Sequence, residues 1–549
     1  MLYYKYMKLP VYLKYILVAL FAALFFGLMQ ANKVFVDPDS FYHTKIAVFM
    51  LKQGIVRDFP WLVYTTLPEI YTDHHFLYHI ILLPFVKFIP PLIGSKVAAV
   101  FINTGFILLF YGFLRNPHPT SPLERGRKEG VWPFFFVFIL LSGAPFIFRI
   151  DLVKASGFSL IFIMLILFAL FRRRHIWLVA ISFFYVWAYG GWPLGILLSG
   201  IFLVSSMIAN MIFNTRKEAT LLHCYIVTLL RRSEWKPLVA TVLGSLAGLV
   251  INPYFPQNLK FYWIQIVQIA VVNSKIKIGV GAEWYGFELP NLVNYSAGIF
   301  LVLGVAMLFF FGHIMVGVQN SESLQKKINY KAIRDILFFT ICAGTFFVLT
   351  IKSCRNTEYS FPFMLLAGAF ILKYFYDKDV YLYLKKNFLR IFRREILYKI
   401  FLIYLVLMLG LAFGASFKRV KNDLSRGFGF EKYKKAMEIA QENTKKDEII
   451  FHSDWDDWPI LFYHNTYNKY IVGLDARFMS NYNSELYEKW RDICWGKYEN
   501  DVYPAIKQDF NAKIIFIAEG DIEKMDKYFK DDNRYKLLYN HDAKVYKLK

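Results

Sequence analysis

Apolar residues run along the first three quarters of the chain in long blocks, separated by short polar or basic loops. Such blocks approach the roughly 20 residues a helix needs to cross a bilayer. The pattern predicts spans near 15–31, 95–114, 132–148, 157–171, 176–189, 194–213, 237–251, 293–312, 335–351, 359–375 and 399–416. The loops Arg115–Lys128, Arg172–His175, Arg216–Lys236, Lys326–Arg334 and Lys378–Lys399 are all basic. With the N-terminus in the cytoplasm every one of them falls on the cytoplasmic side, as the positive-inside rule requires. The apolar run Phe76–Ile89 would invert that order if it crossed. It is short and carries Pro84 and Lys87, so it reads as an interfacial or re-entrant helix. The first outer loop then extends from 32 to 94, and a second long outer loop covers 252–292.

After Ser416 the pattern changes to polar, alternating stretches. Tyr433–Asn443 has an amphipathic helical pattern, Glu448–His452, Tyr470–Leu474 and Lys513–Ala518 read as strands, and Tyr535–Leu548 as a closing hairpin. The expected fold is a polytopic α-helical membrane protein of about 11 spans (1–416) with a C-terminal α/β domain (417–549). An odd number of spans puts that domain outside the cell.

Composition agrees. The 549 residues are 56% hydrophobic with a mean hydropathy of +0.36, which excludes an ordinary soluble protein. The net charge of +23 reports cytoplasmic loops and lipid headgroups, not nucleic acid. The first apolar segment lacks a small-residue cleavage site and reads as a retained span. Cys224, Cys342, Cys354 and Cys494 have no metal spacing and are expected as thiols.

This topology gathers candidate chemistry on the outer face. Asp37 and Asp39 flank Pro38 directly after the first span, followed by Phe41, Tyr42 and His43. The carboxylates offer oxygen ligands for a hard cation, and the rings offer faces for a sugar. Asp73, His74, His75, Asp151, the Gly190-Gly191-Trp192-Pro193 turn, Glu283 and Arg355 fall on the same side. His75 and His79, four apart, share a helical face and form a weaker zinc candidate with no intervening glutamate. Asp454–Asp457 reads as a solvated turn with Trp455 and Trp458 packed inward, and Asp475 with Arg477 as a structural ion pair or turn.

The segment Asp37-Pro38-Asp39-Ser40-Phe41-Tyr42-His43 resembles the first acidic motif of oligosaccharyltransferase catalytic subunits, members of the GT-C class of polyprenyl-linked glycosyltransferases. In the same order, Asp151 resembles that family's second acidic motif and Trp187-Ala188-Tyr189-Gly190-Gly191-Trp192 its Trp/Gly-rich turn. Glu283 resembles its loop glutamate, and Arg355 its arginine near the lipid phosphate. The resemblance implies a glycosyltransferase that takes a sugar or glycan from a polyprenyl-(pyro)phosphate donor. Its acceptor would be a glycan, a lipid or a protein at the outer face of the cytoplasmic membrane. It implies a Mg2+ or Mn2+ ion held by Asp37, Asp39, Asp151 and Glu283. Asp39, Asp37 and Asp151 would be catalytic, with Arg355, Glu283, His43, Tyr42, His74, His75 and Trp192 binding substrate.

Two features depart from the family. Arg149-Ile150-Asp151 supplies one acid where the family has two, and Ser453-Asp454-Trp455-Asp456-Asp457-Trp458-Pro459 is only loosely like its acceptor-reading motif. Transfer to protein Asn is therefore the narrower alternative. A transporter or lipid flippase is the non-enzyme alternative. It would show inverted repeats and charges near the bilayer midplane, and the sequence has neither.

Overall fold

The computed structural model describes residues 10–116, 132–214, 234–271, 281–319, 330–375, 378–392 and 395–549. The basic segments 117–131 and 215–233, Cys224 and residues 320–329 lie outside the described residues.

Each of the eleven apolar blocks forms helix. Among the described residues, five helices are long and apolar enough to cross a membrane: Val11–Gln30 (α1), Pro91–Arg115, Pro193–Ile212, Tyr330–Lys352 and Glu395–Leu424. A sixth crossing forms if Trp132–Leu140 and Ala144–Asp151, bent by 76°, count as one. The bend has a local cause, because Pro145 at the start of the second piece cannot continue the first helix. Four of the remaining blocks are shorter apolar helices, and the fifth is the 19-residue helix Thr357–Phe375. The chain is an integral membrane protein.

The segment after α1 turns at Asn32, forms a two-residue strand Val34–Phe35 (β1), and enters helix Asp39–Gln53 (α2) through Pro38. Proline is tolerated there because an N-terminal N–H would have no intrahelical partner. Helix Phe76–Phe88 (α3) has 13 residues. At 1.5 Å per residue it is about 20 Å long, short of the hydrocarbon core.

The last long helix, Glu395–Leu424, runs past Ser416 to Leu424. Strand Phe428–Gly429 (β2) follows and pairs antiparallel with β1. Ile449–His452 (β3), Lys469–Tyr470 (β4), Ala512–Ala518 (β5), Tyr535–Asn540 (β6) and Ala543–Leu548 (β7) form one sheet in the order β4-β3-β5-β7-β6. β3 pairs parallel with both β4 and β5, and the β6–β7 hairpin adds antiparallel. The expected strand at Tyr470–Leu474 is the shorter β4. Its free edge is covered by residues 61–63: Tyr470 N donates to the Trp61 carbonyl at 2.7 Å and Val63 N to the Tyr470 carbonyl at 3.2 Å. One apolar core joins the two regions, with Phe41, Tyr42, Phe59 and Tyr71 packed against Trp458, Phe462 and Tyr470.

Candidate active site

The loops after the first helix and around Glu283, the helix ends and the C-terminal domain enclose a cavity of about 880 Å3. Its floor is the start of α2. Asp37 Oδ1 accepts the backbone N–H of Asp39 at 3.0 Å, so the two carboxylates flank the helix entrance. Between them stands an ammonium group: Lys154 Nζ lies 2.6 Å from Asp37 Oδ2 and 2.8 Å from Asp39 Oδ2. Burial disfavours the Lys154 charge, but Asp37, Asp39 and Glu283 outweigh it and hold the ammonium protonated. Burial pushes the Asp37 carboxyl up, against the pull of Lys154 and with repulsion from Asp39.

The facing wall is built on Glu283. Its Oε2 accepts from Arg149 Nη1 at 2.7 Å and its Oε1 from Arg355 Nη1 at 3.3 Å. Despite burial, Lys154, Arg355 and Arg149 hold Glu283 well below the usual carboxylate range. Arg149 also reaches the buried Glu358 at 3.3 Å. Arg355 Nη2 donates to the Tyr189 hydroxyl at 2.9 Å, and its guanidinium lies 5.2 Å from the Trp284 ring centre. The Glu283 turn is tied to the Arg355 turn: Ser353 Oγ donates to the Glu283 carbonyl and Cys354 N to the Tyr285 carbonyl, each at 2.8 Å. Gly286 crosses the Ile351 carbonyl so closely that a Cβ there would collide with it.

Tyr42, His43, His74 and His75 line a third side. His75 stacks on Tyr189 with ring centres 5.6 Å apart. Burial lowers His74 to about 4, against the pull of Asp73. The C-terminal domain closes the cavity with Trp455, Asp456 and Asp475. Burial, then the nearby Asp39 and Asp37, push Asp456 up to about 8. Arg419, Arg426 and Lys432 ring the remaining side.

By sequence, no family model matches the chain and no curated protein matches it. Solved structures do resemble it. The archaeal oligosaccharyltransferase AglB from Archaeoglobus fulgidus, in complex with an inhibitory peptide and a dolichol-phosphate, is 14% identical with a TM-score of 0.54, over 93% of this chain and 70% of that one. ArnT from Cupriavidus metallidurans bound to undecaprenyl phosphate is 13% identical with a TM-score of 0.53, over 97% of both chains. The fold is that of the GT-C glycosyltransferases. A third structure with the GT-C fold, the arabinofuranosyltransferase AftD from Mycobacteria, is 9% identical with a TM-score of 0.53 and is matched over 40% of its length.

On this GT-C fold, the cavity collects Asp37, Asp39, Tyr42, His43, His74, His75, Glu283 and Arg355. Asp73, Asp151 and Trp192, also singled out from sequence, do not line it. Asp151 is buried, accepts from Gln30 Nε2 at 3.1 Å, and lines a small crevice with Ser40, Lys96 and Asp37 instead of the main cavity. Trp192 packs against Tyr262 behind the wall. The His75/His79 zinc pair does not form either, because both ring nitrogens of His79 are engaged, one by Asp73 and one by His43.

The four carboxylates assigned to a divalent ion do not share an oxygen shell. Asp37 and Asp39 converge on Lys154, Glu283 is clamped by two arginines, and Asp151 turns away. Among the described residues, no group of three or more His, Cys, Asp or Glu side chains is arranged to hold a metal ion. Mg2+ or Mn2+ between Asp37 and Asp39 would have to displace the Lys154 ammonium.

Lys154, Arg149 and Tyr189 were not singled out from sequence as site residues. A basic residue shortly after an apolar block ordinarily marks a membrane interface. The departure Arg149-Ile150-Asp151 was the available signal. Asp454–Asp457 divides its roles: Trp458 is fully buried core, while Trp455 and Asp456 face the cavity. Asp475 caps a helix by accepting from Arg477 N at 2.7 Å, instead of pairing with its guanidinium.

Proposed function

We propose that the protein transfers a sugar or glycan from a polyprenyl-(pyro)phosphate donor to an acceptor at the extracytoplasmic face of the cytoplasmic membrane. The carrying observation is the cavity, where cations and carboxylates meet at the mouth of the helical region. Cleaving a sugar–phosphate bond builds negative charge on the leaving phosphate, and preorganised cations stabilise it. In this reading Lys154 and Arg355 perform that task, and Arg355 supplies the two-pronged geometry that phosphate prefers. Asp37 and Asp39 hold Lys154, and Glu283 holds Arg355. The aromatic wall offers ring faces to the sugar. AglB and ArnT, with the same fold, were solved with dolichol-phosphate and undecaprenyl phosphate, which supports a donor of this class.

A narrower reading takes protein Asn as the acceptor. Trp455 and Asp456 on the cavity wall favour it, since they put the C-terminal domain in reach of an acceptor. The test is to reconstitute the full chain in sealed lipid vesicles with polyprenyl-phosphate- and polyprenyl-pyrophosphate-linked sugars. Donor consumption with release of the polyprenyl phosphate is expected. Glycosylation of a peptide containing Asn-x-Ser/Thr selects the narrower reading. Movement of intact donor across the bilayer without cleavage would establish a flippase and overturn the proposal.

A further inference from the structure

Behind the cavity lies a buried chain of three side chains that the ion pairs above leave out. Asp73 Oδ1 accepts the backbone N–H of His75 at 3.1 Å, and its Oδ2 lies 2.7 Å from His79 Nδ1. His79 Nε2 in turn lies 2.8 Å from His43 Nδ1. Asp73, His79 and His43 are 3%, 0% and 3% exposed. The hydrogen-bond sense is dictated from the acid end. The carboxylate accepts, so His79 carries its proton on Nδ1 and offers the Nε2 lone pair. His43 must then donate from Nδ1, which leaves its Nε2 unprotonated. His43 lines the cavity, and it sits one helical turn from Asp39.

We propose that His43, held in the Nδ1–H tautomer by His79 and Asp73, is the general base that takes the proton from the acceptor nucleophile. This rests on the glycosyltransferase reading. The acceptor oxygen or nitrogen forms its bond to the sugar C1. The C1–O bond to the polyprenyl phosphate breaks, and its electron pair leaves on the phosphate. The acceptor proton moves to His43 Nε2, the Nδ1 proton of His43 can pass to His79 Nε2, and the Nδ1 proton of His79 to Asp73. His43 is then the catalytic residue, and His79 and Asp73 are positioning residues. The carboxylates of the cavity floor and facing wall compete poorly for this role. The Oδ2 atoms of Asp37 and Asp39 are engaged by Lys154, and Glu283 is clamped by arginines.

Burial lowers His43 well below the ordinary histidine value, with His79, Lys154 and His74 acting in the same direction. The groups packed around it are the rings of Tyr42, His75, Tyr78 and His79, at 4.9 to 5.5 Å. A base must be neutral to act, so activity falls as pH drops through its value. The acidic limb of the wild-type profile is therefore expected below about pH 6.5.

The test uses the full-length protein in nanodiscs with the donor that wild type consumes. His43→Ala should lower turnover about 100- to 10,000-fold, the range of general-base contributions, with donor affinity within about twofold. Added imidazole should restore part of the rate, and the acidic limb should disappear. Asp73→Asn, which presents an amide able to donate to His79, should slow turnover without weakening donor binding. Nitrogen-15 histidine spectra should show His43 Nε2 unprotonated in wild type and protonated in Asp73→Asn. Turnover by His43→Ala at the wild-type rate, or a protonated Nε2 in wild type, overturns the base assignment alone. A wild-type protein that cleaves no donor overturns the glycosyltransferase reading and this proposal with it.

Discussion

Lys154→Met removes an ammonium while keeping much of its length. Nζ makes two charge-assisted contacts, at 2.6 and 2.8 Å, to carboxylates that repel each other without it. Its side chain is 15% exposed, so solvent replaces little of what is lost. Stripping one partner from a buried charge cluster costs about 3–5 kcal/mol. Protonation sets a ceiling on that cost. Converting a carboxyl of ordinary pKa 3.9 to its neutral form at pH 7 takes about 4 kcal/mol, at about 1.4 kcal/mol per pH unit. The variant is thus expected to lose up to about 3–4 kcal/mol at pH 7, and the Asp37 carboxyl, already raised by burial in the wild type, should titrate higher still. The sign follows from linkage. A folded-state pKa raised above the unfolded value gives stability at low pH that is lost as pH rises through the raised value. The deficit against wild type is therefore small near pH 4 and largest near neutrality. Apparent melting temperatures of both proteins in one detergent, at pH 4.5 and 7.5, read this directly. Mg2+ should raise the melting temperature of Lys154→Met more than that of wild type, because the freed carboxylates gain a cation. Equal melting at both pH values would refute the ion-pair argument. So would wild-type donor cleavage that fails with chelator and persists in Lys154→Met supplied with Mg2+.

Asp39→Asn keeps a side-chain oxygen for Lys154 but removes a charge. Transfer is expected to fall at least about 100-fold with melting within a few degrees of wild type, measured by donor cleavage and thermal unfolding. Arg355→Ala should weaken donor affinity about 10- to 100-fold, the worth of a charged hydrogen bond, and Arg355→Lys should restore part of it, read in a donor-binding titration. Gly286→Ala should displace the Glu283 turn, lowering turnover while helical content by circular dichroism stays unchanged.

Apolar periodicity located the apolar helical blocks because lipid-facing and core-facing side chains are both apolar, so the signal survives without tertiary detail. It missed the polar helices Asp39–Gln53 and Lys378–Phe392, read as loop from their charge. The break at Ser142 and Gly143 was hidden inside one such block, since hydropathy is blind to backbone direction. The acidic motif was legible because its residues are adjacent in sequence. Its counter-ion was not. Asp151 ends a helix, and Leu152 leaves it in extended conformation. Residues 151 and 154 therefore serve different cavities, and the lysine becomes the functional neighbour where the sequence drew attention to the acid. The Asp73–His79–His43 chain needed the packing of α2 against α3. Four-residue spacing within α3 pointed instead to His75 with His79.

The pairing of β1 with β2, and the edge of β4 covered by residues 61–63, bear on how this protein can be altered. The C-terminal region is no interchangeable cassette. A chimera joined at the last long helix would import a sheet edge without the loop that seals it, and would leave the aromatic side chains of α2 without Trp458 and Phe462. Grafting acceptor preference from one protein of this architecture to another thus requires residues 32–75 to travel with the C-terminal domain, two segments far apart in sequence exchanged as a single inheritance unit.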